Sequence, residues 1–545
     1  MNTQTKVLSI AIAAALSLPF LLPAPGHAVS SAALRAKGQV EGKAASLVRR
    51  ADADAFVAGN TVIDADGTEH VRFQRTYRGL PVVGGDFVVH SRNDQVRAAS
   101  QTLRTTVRPG IVPKVSRQNA IDTAGARFGT AFTGLPKSRL VVYARGATPV
   151  LAHEVIYTGF RRDQTPTEMH YFVDATKGTV IAQWDAIETI GPGPGQSCTG
   201  TAATGTGKTL SLGDVKINTI KCGAQYQLTD TTRGGGNTHN MSQRTTGLGV
   251  AFNDADNVWG TNKPSNTGSA AAEAHYGVAT TWDYYKNVHG RNGIAGDGRG
   301  ALSRVHYGRN YANAFWSDSC FCMTFGDADN GATTNPLTVL DVSGHEMSHG
   351  VTAHTAQLIY DGESGGLNEA NSDIFGTMVE YYAKSSADPG DYVIGEEIYV
   401  ANASLPSGAI PAAIRYMFKP SLDGASPDCY SADIGDMDVH YSSGVANHFF
   451  YLLAEGSVVP KGFGAGTEAD LAAADLVCSG SSSLKGIGRD AAAKIWYRAL
   501  SVYMTSNTDY AGARAATLSA ATDLYGAGST QAKAVAAAWS AVSVK

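Results

Sequence analysis

Two histidines and a glutamate within residues 340–349 have the spacing of a metal site with an adjacent base. His345 and His349 are four residues apart, so on a helix they share one face and can bind a single ion. Imidazoles at this spacing are typical zinc ligands, and Glu346 lies beside the first ligand without being one. The run therefore predicts a helix that carries a zinc ion and a carboxylate base.

A second pair of acidic residues has the same helical spacing. Glu369 and Asp373 are four residues apart, and the apolar residues around them recur with helical periodicity. A catalytic zinc needs a third protein ligand and an open position for water, which makes Glu369 the candidate ligand. Asp373 can accept the free ring N–H of a ligating histidine and so fix its tautomer.

These motifs and the gap between them resemble the zinc region of the thermolysin-like neutral metalloproteases, a family of secreted bacterial enzymes. The similarity includes residues 341–376, 413–415 and 438–444, and it covers most of the chain after about residue 200. It implies an endopeptidase in which zinc-activated water attacks a peptide carbonyl. Glu346 would take the water proton and return it to the leaving amine.

The resemblance also implies roles for residues outside the zinc motifs. Tyr360 and His440 would donate hydrogen bonds to the developing oxyanion. The loop before His440 is one residue shorter than in the family, which makes Asp436 the candidate acid that orients this histidine. Arg415 would bind a substrate carbonyl on the primed side.

Substrate recognition is implied at two places. Asn313 and the Ala314 carbonyl would bind the substrate backbone in the manner of an added strand. A primed-side pocket with an apolar, branched lining would favour cleavage on the amino side of large hydrophobic residues. The residues expected to line it are Val342, Ile394, Ile398 and Ile414.

Four carboxylates match the calcium site of the family, and hard oxygen ligands suit Ca²⁺. They are Asp341, Glu380, Asp391 and Glu396. Val393 stands where the family has a further carboxylate. We therefore expect one calcium ion, and a second ion stays open.

Length and composition indicate an exported protein of several domains. A chain of 545 residues is too long for a single domain with one hydrophobic core. Its net charge of −4 does not indicate binding to nucleic acid or to a membrane. An apolar stretch that follows Lys6 and ends in small residues predicts a secretory signal peptide over residues 1–28. No later stretch predicts a membrane span. We expect a secreted, extracellular monomer that acts on proteins or peptides.

Residues 29–194 contain no cysteine and alternate strand-like with helix-like patterns. The runs 75–86 and 171–181 resemble the two modules of thermolysin-family propeptides, which implies a zymogen whose propeptide is both inhibitor and chaperone. An unrelated domain kept in the mature protein is the alternative. Breaker residues over 191–196 predict an exposed linker, and we place maturation between residues 190 and 197.

The remaining chain is predicted to form an α+β, two-lobe catalytic unit with the zinc site in the cleft. A β-rich lobe with the zinc helix takes up residues 195–350, and a helical lobe takes up residues 351–545. Six cysteines permit about 15 disulfide pairings, among which the sequence does not choose. Locality favours Cys198 with Cys222 and Cys429 with Cys478, whereas Cys320 and Cys322 would form a small ring or stay free. Helices in the second lobe are expected over 443–453, 489–504, 509–525 and 530–542.

Two other functions share parts of this pattern. A secreted binding module that has lost catalysis would lack a base or an open site, whereas Glu346, Tyr360 and His440 are all present. A zinc aminopeptidase would carry a Gly-x-Met-Glu-Asn run upstream of the zinc motif. Residues 313–316 take that place here, which favours an endopeptidase.

Overall fold

A computed structural model describes residues 30–129, 132–186 and 198–545. The predicted signal peptide, linker and maturation site lie outside these residues, so they stay predictions. Residues 30–186 contain two helices, α1 and α2, and nine strands, β1 to β9, in the described part. The helices are Ser31–Glu41 and Arg117–Phe128; the strands are Asp54–Ile63, Glu69–Tyr77, Leu80–Val83, Phe87–Arg92, Gln95–Gln101, Lys137–Tyr143, Val150–Phe160, Pro166–Asp174 and Val180–Asp185.

The nine strands form one sheet, and each helix packs on an apolar cluster of its own. The strand order is β5-β4-β2-β3-β6-β7-β8-β9, and β1 pairs with β2. Phenylalanines 56, 73 and 87 pack under α1, whereas α2 packs on β7 and β8 through Ala120 and Ala124. Helix α2 begins where the Ser116 side chain accepts from the Asn119 N–H, and it ends at Gly129, which has a φ of 69°.

The next part of the chain is rich in short strands, as predicted. It contains the long helix α3, Thr267–His289, and strands β10 to β20. Their bounds are Thr201–Lys208, Asp214–Cys222, Gln225–Gln227, Thr229–Asp230, Gly236–Asn240, Val250–Ala251, Asn253–Asp254, Val258–Gly260, Leu302–Tyr307, Ala314–Ser317 and Cys322–Gly326. One sheet has the order β13-β14-β18-β20-β19, which leaves β19 at its edge.

The last part is helical. Helices α4 to α10 are Leu340–Ala353, Gly362–Ala383, Val439–Ser442, Gly444–Glu455, Arg489–Arg498, Tyr510–Tyr525 and Thr530–Ala541, and the short strands β21 and β22 are Val393–Ile394 and Arg415–Tyr416. The helix predicted over 489–504 is present to Tyr503, with a change of helix type near its end. The α-helix ends at Arg498 and continues as a π-helical turn over Ala499–Tyr503.

Close contact between α4 and α5 brings the two predicted zinc helices together. A Cβ atom added to Gly376 would lie 2.5 Å from the carbonyl oxygen of Asp341, and one added to Gly344 would lie 2.9 Å from the Gly376 Cα. Glycine at both positions therefore lets the two backbones approach more closely than larger residues would allow. The crossing sets the histidines of α4 opposite the carboxylates of α5.

The cysteines form three disulfides: Cys198–Cys222, Cys320–Cys322 and Cys429–Cys478. The two pairs expected from locality are confirmed, and the third pair closes the small ring. In the described part of the chain, no helix is long and apolar enough to cross a membrane. The β-rich part followed by a helical part confirms the predicted fold class, whereas the domain boundaries stay predictions.

Candidate active site and acidic cluster

The side chains of His345, His349 and Glu369 converge between α4 and α5. The two Nε2 atoms are 3.0 Å apart, and Glu369 oxygens lie 3.5 Å from His345 Nε2 and 3.4 Å from His349 Nε2. All three ligand atoms lie within 4.8 Å of one another. Glu369 Oε2 is buried and has no hydrogen-bond partner among the residues that the structure describes. Two imidazoles and a carboxylate that share one point fit a zinc ion.

Each histidine is oriented by a hydrogen bond to its other ring nitrogen. His345 Nδ1 lies 2.8 Å from Asp373, as the sequence predicts. His349 Nδ1 lies 2.9 Å from the side-chain oxygen of Asn368, a contact that the sequence analysis missed. The only signal for Asn368 is its position directly before Glu369 on the same helix. Both bonds leave Nε2 free to face the point between the three ligand atoms where a metal ion would bind, called the metal point below.

Asp373 is a fully bonded, buried carboxylate. Besides His345, it accepts from Arg415 Nε at 2.7 Å, from Arg415 Nη2 at 2.6 Å and from Asn447 Nδ2 at 2.7 Å. Asn447 is a second residue that the sequence analysis did not find. The predicted substrate contact, Arg415, is therefore held in place by the same carboxylate that orients His345.

Burial and nearby charges shift the pKa values of the candidate base and of the two candidate histidine ligands. Burial raises the pKa of Glu346 to about 7, near the range in which a general base works at neutral pH. Burial lowers the pKa of His349 to about 4, which keeps its ring neutral and able to bind a metal. Burial also opposes charge on His345, but the hydrogen bond to Asp373 and the surrounding carboxylates raise its pKa to about 9. Metal binding displaces such a proton.

Tyr360 and His440 meet at one edge of the metal point. The Tyr360 hydroxyl donates to Glu369 and lies 3.1 Å from His440 Nε2. His440 Nδ1 lies 2.7 Å from Asp438, so Asp438 is the bonded acid and the prediction of Asp436 is wrong. The Asp438 side chain also caps the short helix α6 by accepting from the His440 N–H, which holds this carboxylate beside the His440 ring. The negative charge of Glu369 and the hydrogen bond to Asp438 raise the pKa of His440, whereas burial lowers it.

The cleft around the metal point has a volume of about 560 Å³ and brings together most of the predicted substrate residues. Asn313, just before β19, and Ala314, its first residue, line it at the edge strand of the sheet. The other predicted residues that line it are Val342, Ile394, Ile414 and Arg415. Ile398 is buried beside Gly395, next to the lining residue Ile414. Its place in the pocket stays a prediction.

Residues of the first part of the chain form one wall of this cleft. Arg161, Glu168, His170 and Trp184 line it together with the predicted catalytic residues. Gln164, at the turn between β7 and β8, donates to the Arg309 carbonyl at 2.8 Å and accepts from its N–H at 3.0 Å. The second module thus contacts the β-rich part next to the edge strand.

A second group of buried carboxylates lies at the other end of α5. Glu380, Asp388, Glu396 and Glu397 place ligand oxygens within 4.8 Å of one another. One oxygen of each is buried without a hydrogen-bond partner in the described part of the chain, which fits a cation with oxygen ligands. The sequence analysis found two of the four and missed Asp388 and Glu397.

The other two predicted calcium ligands lie beside this cluster. Asp341 accepts from the backbone N–H groups of Val342 and Gly395, at 2.7 and 2.6 Å. Asp391 accepts from the Val393 N–H at 2.7 Å. Backbone donors therefore occupy positions on both carboxylates, and their role as calcium ligands stays a prediction.

Comparisons with known proteins agree along most of the chain. Residues 204–353 match the family model of the thermolysin metallopeptidase catalytic domain, and residues 356–544 match that of its alpha-helical domain. Residues 54–103 match the fungalysin/thermolysin propeptide motif.

Individual relatives extend the similarity to both halves of the chain. The transglutaminase-activating metalloprotease of Streptomyces mobaraensis is 47% identical over 90% of this chain, which spans 61% of that relative's length. Thermolysin of Bacillus caldolyticus is 38% identical over 88% of this chain and 84% of its own. The solved precursor of protealysin from Serratia proteamaculans is 29% identical, with a match that covers 58% of this chain and 90% of that one at a TM-score of 0.43. The family models and the shared length with thermolysin show that this chain belongs to the thermolysin family of metallopeptidases.

Proposed function

We propose that the chain is a secreted, zinc-dependent endopeptidase made as a zymogen. The observation that carries this proposal is the meeting of His345, His349 and Glu369 in a cleft that also contains Glu346 and the edge strand of a sheet. An edge strand beside a metal site suits an extended polypeptide, because the substrate backbone can pair with it.

The chain's own residues supply the binding and the proton transfers. Asn313, Ala314 and Arg415 hold the substrate backbone across the cleft. A zinc ion in the site would lower the pKa of a water and polarise the scissile carbonyl. Glu346 takes the proton of the attacking water and delivers it to the leaving amine. His440 Nε2 and the Tyr360 hydroxyl, which lie 3.1 Å apart, donate to the oxyanion.

Specificity follows from the apolar side of the cleft. Val342, Ile394 and Ile414 line it with branched carbon atoms, so burial of a large apolar side chain stabilises the complex. We expect cleavage on the amino side of residues such as Leu and Phe. Aminopeptidase action is the competing outcome, and stepwise loss of amino-terminal residues would reveal it.

The acidic cluster is proposed to bind one calcium ion. Four buried carboxylates, each with one oxygen that has no hydrogen-bond partner in the described part of the chain, repel one another unless protons or a cation neutralise them. Residues 1–28 are proposed as the signal peptide and residues 29–194 as the propeptide. The side chains of the first part that line the cleft support an inhibitory role, because they take up space that a substrate needs.

A mass-spectrometric cleavage map of an unfolded protein tests the proposal. The mature protein with calcium should give internal cuts before large apolar residues, and a zinc-selective chelator should abolish them. Glu346→Gln should lower the rate by about 10²-fold or more. The control Glu468→Gln removes an exposed carboxylate and should cleave normally. Full activity of Glu346→Gln would refute the assignment of the base.

A further inference from the structure

Two buried histidines lie at the contact between the first module and the helical part. His70 on β2 and His90 on β4 are cross-strand neighbours, with exposed fractions of 3% and 6%. Both rings face Tyr503, in the π-helical turn after α8, with centroids 6.2 and 4.9 Å from its ring. The helical part therefore covers this histidine pair.

The pair is joined by a ring-to-ring hydrogen bond. The two Nδ1 atoms are 2.7 Å apart, and His90 Nε2 lies 2.9 Å from the Ser100 hydroxyl. His70 Nε2 lies 2.9 Å from Asp64. Only one hydrogen fits between the two Nδ1 atoms, so at least one ring must stay neutral in this arrangement. A second proton would set two N–H groups against each other.

Charged groups from every surrounding element restrict the pair further. Arg498 of α8 places Nη2 3.1 Å from His70 Nε2 and binds Asp64 at 2.7 and 2.6 Å. Asp523 of α9 accepts from Arg498 at 2.9 Å. The remaining groups are Arg72 of β2, which pairs with Asp86, then Tyr503, and Lys494 of α8, which lines the same cavity as His70. Because Arg498 is held by two carboxylates, it stays charged beside the pair.

We propose that the pair of His70 and His90 is a pH-sensitive catch, which holds the first module on the helical part at neutral pH and releases it in acid. This inference rests on the proposed zymogen, because release matters only if residues 29–194 are a propeptide.

The direction of the pH effect follows from the number of protons that His90 binds when the two parts are in contact and when they are separated. Burial, together with the charges of His70, Arg498 and Arg72, lowers the pKa of His90 to about 3 while the parts are in contact. After separation the ring faces water, where an ordinary histidine has a pKa of about 6.5. The separated state thus binds more protons below pH 6.5, and contact weakens as the pH falls. One such group predicts weakening by about 30-fold between pH 7.5 and pH 5.0.

The test uses the full chain with Glu346→Gln, to prevent self-digestion, and with a site for a sequence-specific protease in the 191–196 linker. After the linker is cut, dissociation of the two parts is measured by size-exclusion chromatography from pH 7.5 to pH 5.0. We expect a weakening of about 30-fold. With His90→Gln added, the weakening should fall to less than about 3-fold, because the Gln carbonyl accepts from His70 and cannot be protonated.

A matched control replaces His153, a buried histidine of the second module that contacts the Val115 carbonyl. His153→Gln should keep the full pH dependence. An unchanged affinity across this pH range, or a full acid effect in His90→Gln, would overturn the proposal.

A second measurement does not depend on how the His90 variant folds. The cut complex that carries no histidine substitution is diluted near pH 5.5 in weak buffer with a pH indicator. It should take up about one proton for each complex that separates. The absence of proton uptake would overturn the proposal as well.

Inhibition is tested separately, by peptide hydrolysis at pH 7.5 in the cut complex that keeps Glu346. Full activity of the intact complex would refute the inhibitory propeptide and leave the acid release to be judged by its own measurement.

Discussion

Arg145 is predicted to be the main polar anchor of the second module on the helical part. Its guanidinium donates to Asp361 Oδ2 at 2.6 Å, to Asn507 Oδ1 at 2.7 Å, to the Asp361 carbonyl at 3.1 Å and to Ser364 Oγ at 3.2 Å. These partners lie at the start of α5 and just before α9. The ring of Trp184, which also lines the cleft, stacks 5.3 Å from the Arg145 guanidinium carbon.

The expected effect of Arg145→Ala follows from the burial of this contact. The Arg145 side chain is 10% exposed and that of Asp361 is 39% exposed. Hydrogen bonds to charged groups contribute roughly 1.5–3 kcal/mol, but water can replace the arginine at the half-exposed Asp361. We therefore expect a total loss of about 2–3 kcal/mol, which corresponds to about 30-fold to 150-fold weaker binding between the two parts.

The assay is dissociation of the linker-cut Glu346→Gln chain at pH 7.5. The matched control is Arg139→Ala, because Arg139 pairs with Glu154 inside the second module and is half exposed. Arg139→Ala should leave binding unchanged. Equal dissociation constants for the Arg145 variant and the unsubstituted chain would refute the anchor, provided that both proteins show the same far-UV circular dichroism.

Three further outcomes concern the metal sites and the helix crossing. Asp373→Asn should weaken zinc binding by about 10-fold to 100-fold, measured by competition with a chelator, and an unchanged zinc affinity would contradict its orienting role. Gly376→Ala should destabilise the protein by about 1–3 kcal/mol in thermal unfolding, because its Cβ would meet a carbonyl oxygen of α4 at 2.5 Å, whereas Gly38→Ala, with open space around it, should not. Burial and the charge of Asp388 raise the pKa of Glu397 to about 9, so the calcium-free folded state keeps protons that the unfolded chain loses. The melting temperature of the calcium-free protein should therefore fall from pH 5 to pH 8. Calcium should raise the melting temperature and flatten its dependence on pH. Equal slopes with and without calcium would contradict the cation site.

The metal ligands could be predicted because their geometry is mostly local. Helical periodicity places His345 with His349 and Glu369 with Asp373 on shared faces, whatever the rest of the chain does. The edge-strand role of residues 313–316, the four calcium carboxylates and the partner of His440 were expected from family resemblance. These expectations were less accurate, since Asp388 and Glu397 complete the acidic cluster and Asp438 takes the place of Asp436 beside His440.

What the sequence by itself determined is which candidate groups share a helix: His345, His349 and the proposed base Glu346 on α4, and Glu369 with Asp373 on α5. The tertiary structure alone decided which groups meet across elements. Asn368 reaches His349 and Asp388 joins Glu397 because helix crossings and loop paths set those distances. Arg145 meets Asp361 across 216 residues of chain. Spacing along one helix is set by its pitch, whereas contacts between distant segments depend on the packing of whole elements.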